Sequence, residues 1–188
     1  VVAARYSERA LSYRLALGIA EAESPLAVLF MPMLAAKAAG ILYTGNPTNR
    51  RASEIWVTAT RGLGLDIASG SSPADLFVVS RKRPHKILES RVTTKREQAF
   101  AKAGGGLERA PLSDAEASEP SLRPEELRTL AAWAVEMEDH LGAPQDIEWA
   151  LDHEGRLWIL QSRPLAIRLR QPKLASEKLV ATSQSQST

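Results

Sequence analysis

The strongest periodicity in the chain runs from Pro124 to Gly142, where Leu127, Leu130, Ala131, Ala134, Val135, Met137, Glu138 and Leu141 recur at intervals of three and four. This pattern predicts a helix. Pro124 suits the first turn, Glu125 and Glu126 complement the N-terminal dipole, and Gly142 is the natural stop. A second helix is predicted after Ser7, a plausible N-cap, with Leu11, Leu15 and Ile19 on one face and Gly18 at its end. Most other apolar runs have strand length. "LAVLFM" (26–31) is continuous and bounded by Pro25 and Pro32, which predicts a buried strand. "GILYT" (40–44) and "EIWVTAT" (54–60) predict two more, joined by the polar turn "GNPTNRRAS"; "LFVVS" (76–80) and "HKILESRV" (85–92) continue the series. Residues 101–123 are rich in Gly, Pro and Ser, and predict a surface loop or a local hairpin. From Arg168 the sequence is polar, so the division is one folded unit over 1–166 and a polar, disordered tail or linker over 167–188.

The last two strands carry the candidate chemistry. In "QDIEWALDHEGRLWILQSRPL" (145–165) Asp146 and Glu148 are two positions apart in one strand, and Gln161 and Arg163 are two apart in the next. Alternate side chains of a strand share a face, so the acids point away from Ile147, Trp149 and Leu151. If "HEGR" is the hairpin loop, Glu148 lies opposite Gln161 and Asp146 opposite Arg163. Two carboxylates, an amide oxygen and a guanidinium suit a hard cation with a polyphosphate, because oxygen ligands hold magnesium and arginine clamps phosphate. The same spacing also fits an ordinary solvated face, with Asp146 paired to Arg163 and Glu148 in water.

Composition narrows the field. With 188 residues and a formal net charge of +2, the chain suits one domain and has no basic block interleaved with aromatics, which argues against nucleic-acid binding. The absence of cysteine excludes disulfides and thiolate metal sites, and fits a reducing cytoplasm. "PLAVLFMPML" is too short to cross a bilayer, contains Pro32, and no signal-peptide pattern opens the chain. A soluble cytoplasmic protein is therefore expected. Because the chain opens "VVAARYSERA", without methionine, a processed product or an excised piece is expected too. "GLG" (62–64) could bring backbone N–H groups close to a phosphate, or simply mark turns. The three histidines read as surface residues, and Trp149 and Trp158 as core.

At the level of whole segments, "PQDIEWALDHEGRLWILQSRP" resembles the end of the nucleotide-binding domain of the pyruvate phosphate dikinase and phosphoenolpyruvate synthase family, where D-I-E-W-A and I-L-Q-x-R-P recur. "YSERALSYR", "AVLFMPML", "AGILYTGNP", "EIWVTATRGLGLDIASG", "SPADLFVVSRK" and "RPEELRTLAAWAVEMEDHLG" resemble further family segments, in the family's order, over residues 5–166. The resemblance implies an ATP-grasp fold, here its C-terminal portion: an α+β unit with a mixed or antiparallel sheet backed by helices. It implies ATP and Mg2+ as cofactors, with Glu148, Gln161 and the supporting Asp146 at the metal. Arg163 would be the catalytic contact to the phosphates, Met31, Met33 and Leu34 would line the adenine pocket, and Gly62 and Gly64 would approach the phosphates. The implied partners are the N-terminal ATP-grasp half and a phosphohistidine domain, neither in this chain, besides the nucleotide itself.

The sequence departs from the family at defined places. The usual Q-x-M-V is Met31, Pro32, Met33, Leu34 here, and Leu65 stands where G-L-G-E is common. Two readings follow: the Mg-ATP-holding part of a phosphotransferase, inactive when alone, or a degenerate module that binds a nucleotide or a partner without catalysis.

Overall fold

A computed structural model describes residues 2–46, 53–65, 67, 70 and 73–165. The polar tail and most of the 45–53 turn lie outside these residues. The chain divides into two compact units, Val1–Leu34 and Ala35–Thr188.

In the first unit, helix α1 spans Glu8–Leu17 between 3-10 turns at Val2–Tyr6 and Glu21–Glu23. Ser7 caps α1 as expected, its Oγ accepting from the Ala10 N–H at 3.3 Å, and Gly18 ends it in the left-handed region with φ 65°. The expected apolar stripe stays exposed, with Leu15 82% accessible. The strand expected over 26–31 does not form: the stretch is irregular, and Leu29, Phe30 and Met31 are exposed. A strand needs a neighbour to take its backbone hydrogen bonds, and the described residues of this unit offer no other strand.

The second unit is built on a six-stranded sheet of order β4-β3-β2-β1-β7-β8. Its strands are β1 (Ala36–Tyr43), β2 (Glu54–Arg61), β3 (Asp75–Ser80), β4 (Ile87–Arg91), β7 (Gln145–Asp152) and β8 (Leu157–Pro164). Every pairing is antiparallel. A separate hairpin of β5 (Glu97–Ala101) and β6 (Leu107–Pro111) opens before the polar excursion and runs into it, followed by a short helix α2 (Asp114–Ser118) capped by Ser113. The long helix α3 covers Pro124–Leu141, with Gly142 closing it at φ 72°. Glu126 secures its start, accepting from the Arg123 backbone N–H at 2.6 Å and from the Arg123 guanidinium at 2.8 and 2.9 Å.

One face of the sheet is the core. Leu127, Leu130, Ala131 and Ala134 of α3 pack with Ala38, Leu42, Ile55, Val57, Phe77, Val79, Ile147, Trp149 and Leu151. These strand residues alternate as a half-buried sheet requires, which leaves the other face of the same strands open.

A buried ion pair ties the excursion to the sheet. Lys95 Nζ lies 2.6 Å from Asp75 Oδ1, with the two side chains 1% and 0% exposed. Asp75 also accepts from the backbone N–H groups of Thr93 at 2.9 Å and Ser121 at 2.8 Å. Two segments, 93–95 and the chain at Ser121, thus converge on one carboxylate. His85 also departs from expectation: it is buried, with Nδ1 3.1 Å from the Ser80 carbonyl oxygen.

Gly62 is a docking point for the β5–β6 hairpin. Its N–H donates to the Lys37 carbonyl at 3.0 Å, the next N–H, of Leu63, donates to Ala99 at 3.0 Å, and φ is 73°. A Cβ at this position would overlap the Ala99 carbonyl oxygen. Gly62→Ala is expected to cost about 1–3 kcal/mol through overpacking and a strained φ, read as a lower thermal midpoint. A variant as stable as the parent would contradict this docking role.

Candidate functional site

The open face is organised in cross-strand rows. In one, Trp56, Tyr43, Asp146 and Arg163 follow one another across β2, β1, β7 and β8; in the next, Thr58, Ile41, Glu148 and Gln161 do the same. The expected pairs, Glu148 with Gln161 and Asp146 with Arg163, are therefore direct Cα partners.

The route to that register differs from the simple four-residue loop. Asp152 donates its N–H to the Arg156 carbonyl at 3.0 Å, and Leu151 pairs with Leu157, so the turn closes over three residues with Gly155 at φ 82°. A bulge between Glu148 and Trp149 on one side, with Leu160 extra on the other, restores the expected pairing. Asp152 fixes the turn. Its carboxylate accepts from the backbone N–H of Glu154 at 2.9 Å and Arg156 at 2.8 Å, from Arg156 Nε at 2.9 Å and from Trp158 Nε1 at 2.9 Å. The Trp158 hydrogen bond, followed by those from Arg156, holds its pKa well below the carboxylate range. Trp158 is consequently not core: it is 40% exposed and carries the Arg156 guanidinium 5.5 Å from its ring centroid.

Within the first row, Asp146 Oδ2 accepts from Arg163 Nε at 2.9 Å and Nη2 at 2.7 Å. Asp146 Oδ1 is buried and has no hydrogen-bond partner among the described residues. The Asp146 hydrogen bond, then its charge, raises the Arg163 pKa further, with smaller contributions from Glu148 and Tyr43. In the second row Glu148 is half-buried and Gln161 exposed, and neither spends its side chain on a hydrogen bond among the described residues.

Beyond Glu148, the turn Leu63–Leu65 folds over Ala39, the next position of β1 on this face. A Cβ at Gly64 would sit 3.2 Å from the Ala39 Cβ. Between this turn and the sheet lies a cavity of about 310 Å³ bordered by Ile41, Leu63, Gly64, Leu65, Ile67, Glu148 and Leu160. Gly64 therefore faces the same space as Glu148, whereas the Gly62 N–H is already committed to Lys37. Met31, Met33 and Leu34 belong to the first unit: Met31 and Met33 are 55% and 68% exposed, Leu34 is half-buried, and all three stand in irregular chain. Tyr43, which sequence reading passed over, shares the row of Asp146 and Arg163. The period-two alternation of "GILYT" was the signal that puts it on the open face. Among the described residues, no group of three or more His, Cys, Asp or Glu gathers to hold a metal ion.

This is an α+β domain whose open face pairs acid with amide and acid with guanidinium, groups suited to cations and phosphates. The chain belongs to the pyruvate phosphate dikinase AMP/ATP-binding domain family, whose model matches residues 1–184. It is 33% identical over 163 residues to a rifampicin phosphotransferase of a Streptomyces species, covering 87% of this chain and 18% of that protein. It is 30% identical over 176 residues to the rifampicin phosphotransferase of Bacillus subtilis, covering 94% of this chain and 20% of that protein. To the phosphoenolpyruvate synthase of Pyrococcus furiosus it is 31% identical over 170 residues, covering 87% of this chain and 21% of that protein. The chain spans about a fifth of the length of these curated relatives. No helix among the described residues is long and apolar enough to cross a membrane.

Proposed function

We propose that this chain forms the C-terminal part of an ATP-grasp domain and holds Mg-ATP in a cytoplasmic phosphotransferase. In this reading a phosphoryl group passes from ATP to a histidine on a separate domain, and then to a small acceptor such as pyruvate. The observation that carries the reading is the hairpin register, which sets Glu148 against Gln161 and Asp146 against Arg163 on one open face.

The residues present fit a magnesium ion. Among the described residues, Glu148 and Gln161 offer two unspent oxygen donors side by side, and the buried Asp146 Oδ1 has no partner. All three are hard oxygen ligands of the kind Mg2+ takes. When bound, the ion would supply charge neutralisation and orientation of the polyphosphate. Arg163, fixed by Asp146, keeps Nη1 for a phosphate oxygen and acts by electrostatic stabilisation. Gly64 lets the backbone approach the phosphates, and Met31, Met33 and Leu34 supply the apolar adenine contacts.

Two features favour the alternative of a degenerate module that binds a nucleotide or a partner without catalysis. Pro32 lacks an N–H for a base nitrogen, and Leu65 brings an apolar side chain to the rim of the Glu148 cavity. The intact acid, amide and guanidinium set weighs against it.

Because an ATP-grasp site is completed by a second subdomain, the isolated chain is expected to bind Mg-ATP weakly or not at all. Calorimetry on the 188-residue chain tests this. Micromolar affinity in the isolated chain would contradict the fragment reading. Turnover by the complete gene product would exclude the degenerate alternative.

A further inference from the structure

We propose that Tyr43 is a phosphate-positioning residue, its hydroxyl donating to the same polyphosphate that Arg163 Nη1 holds. The inference rests on the Mg-ATP reading of this face and adds a residue to it.

Unspent hydrogen-bonding groups lie together in one row of the open face. Tyr43 is the last residue of β1 and the direct Cα partner of Asp146, which is in turn the partner of Arg163. All three side chains therefore emerge on the open face. Arg163 gives Nε and Nη2 to Asp146 Oδ2, at 2.9 and 2.7 Å, and its Nη1 makes no hydrogen bond among the described residues. The Tyr43 hydroxyl likewise has no partner among them, although the residue is half-buried. Tyr43 is half-buried and Arg163 exposed, and among the described residues each keeps a hydrogen-bond donor unspent beside the Asp146 carboxylate. An anion bridging Tyr43 and Arg163 meets both donors at once.

Charge supports the same role. The Tyr43 phenol is a neutral hydrogen-bond donor. It adds no charge, so it can discriminate phosphate geometry without changing the net charge of the site. The neighbouring row of Glu148 and Gln161 offers two oxygens to the cation and Asp146 a third, so cation and anion would meet where the two rows adjoin.

A competing role is purely structural. The Tyr43 hydroxyl could turn to Asp146 Oδ1, which is also without a partner among the described residues, and brace the carboxylate. The two roles separate experimentally. In the complete gene product, Tyr43→Phe is compared with the parent, with Glu148→Gln and with Arg163→Lys. The probes are magnesium tripolyphosphate and adenosine, each as a competitor of Mg-ATP, alongside the ligand-free thermal midpoint.

Loss of a hydrogen bond to a charged oxygen is expected to weaken tripolyphosphate about tenfold or more in Tyr43→Phe. Adenosine competition and the thermal midpoint should not move. Unchanged tripolyphosphate affinity in Tyr43→Phe, with Glu148→Gln and Arg163→Lys both weakened, would overturn the inference and leave the Mg-ATP reading standing. A lowered midpoint with unchanged tripolyphosphate affinity would assign Tyr43 the bracing role and overturn it too. Unchanged affinity in all three variants would overturn the Mg-ATP reading itself, and the inference with it.

Discussion

Glu148→Gln in the complete gene product is expected to keep the fold and lose phosphoryl transfer by about two orders of magnitude or more. The side chain is half-buried on the open face, makes no hydrogen bond among the described residues, and is replaced by a group of equal volume, so the core face beneath is untouched. What changes is charge. An amide can still offer one oxygen, but the site loses a carboxylate ligand, and metal-borne charge stabilisation is worth several kcal/mol. At about 1.36 kcal/mol per tenfold in rate, that is roughly a hundredfold or more. The measurement is single-turnover transfer from ATP under saturating magnesium, with a melting curve on the same sample. Unaltered turnover would return Glu148 to the role of an ordinary solvated acid.

The largest expected loss of stability lies elsewhere, at Lys95. Lys95→Met leaves the Asp75 carboxylate buried without its cation, and removal of one partner of a buried pair typically costs about 3–5 kcal/mol. Replacing both partners of such a pair by apolar groups is often neutral, but not here. Asp75 also holds the backbone N–H groups of Thr93 and Ser121, so Asp75→Leu would leave the buried Ser121 N–H and the part-buried Thr93 N–H without their acceptor as well. The double variant, Lys95→Met with Asp75→Leu, should therefore stay well below the parent in denaturant unfolding of the chain. Recovery to parental stability would show that the pair acts through charge alone. A Lys95→Met loss under about 1 kcal/mol would remove it from the set of fold-holding contacts.

These two residues also mark what could be read from the sequence. Glu148 and Gln161 are joined by a hairpin, so their meeting depends only on local alternation and a short turn, and both are legible. The turn itself closes one residue shorter than the letters suggest, and the Leu160 bulge compensates; nothing in "RLWILQSRP" announces a bulge. Lys95 and Asp75 stand twenty residues apart with β4 between them. Each looks like any solvated charge until the segment 93–95 packs against the start of β3. The same holds for Gly62, whose neighbours Leu63 and Gly64 suggest a phosphate turn while its own N–H serves the Lys37 carbonyl. The run at 26–31 gives the converse case. Its apolar letters report a tendency to be buried, but strand formation needs a hydrogen-bonding neighbour, and its own unit has none among the described residues. Helix α3 was legible almost to the residue because its apolar stripe, its Glu126 start and its Gly142 stop are all local signals.

In the proposed function, the β7–β8 face binds ATP through a metal held by Glu148 and Gln161. The most direct test is calorimetry of ATP binding to the complete gene product, with and without magnesium, in the parent and in Glu148→Gln. If the account is right, magnesium will tighten ATP binding in the parent by tenfold or more, about 1.4 kcal/mol, and Glu148→Gln will lose that gain while keeping its fold. Equal tightening by magnesium in the parent and in Glu148→Gln would contradict it.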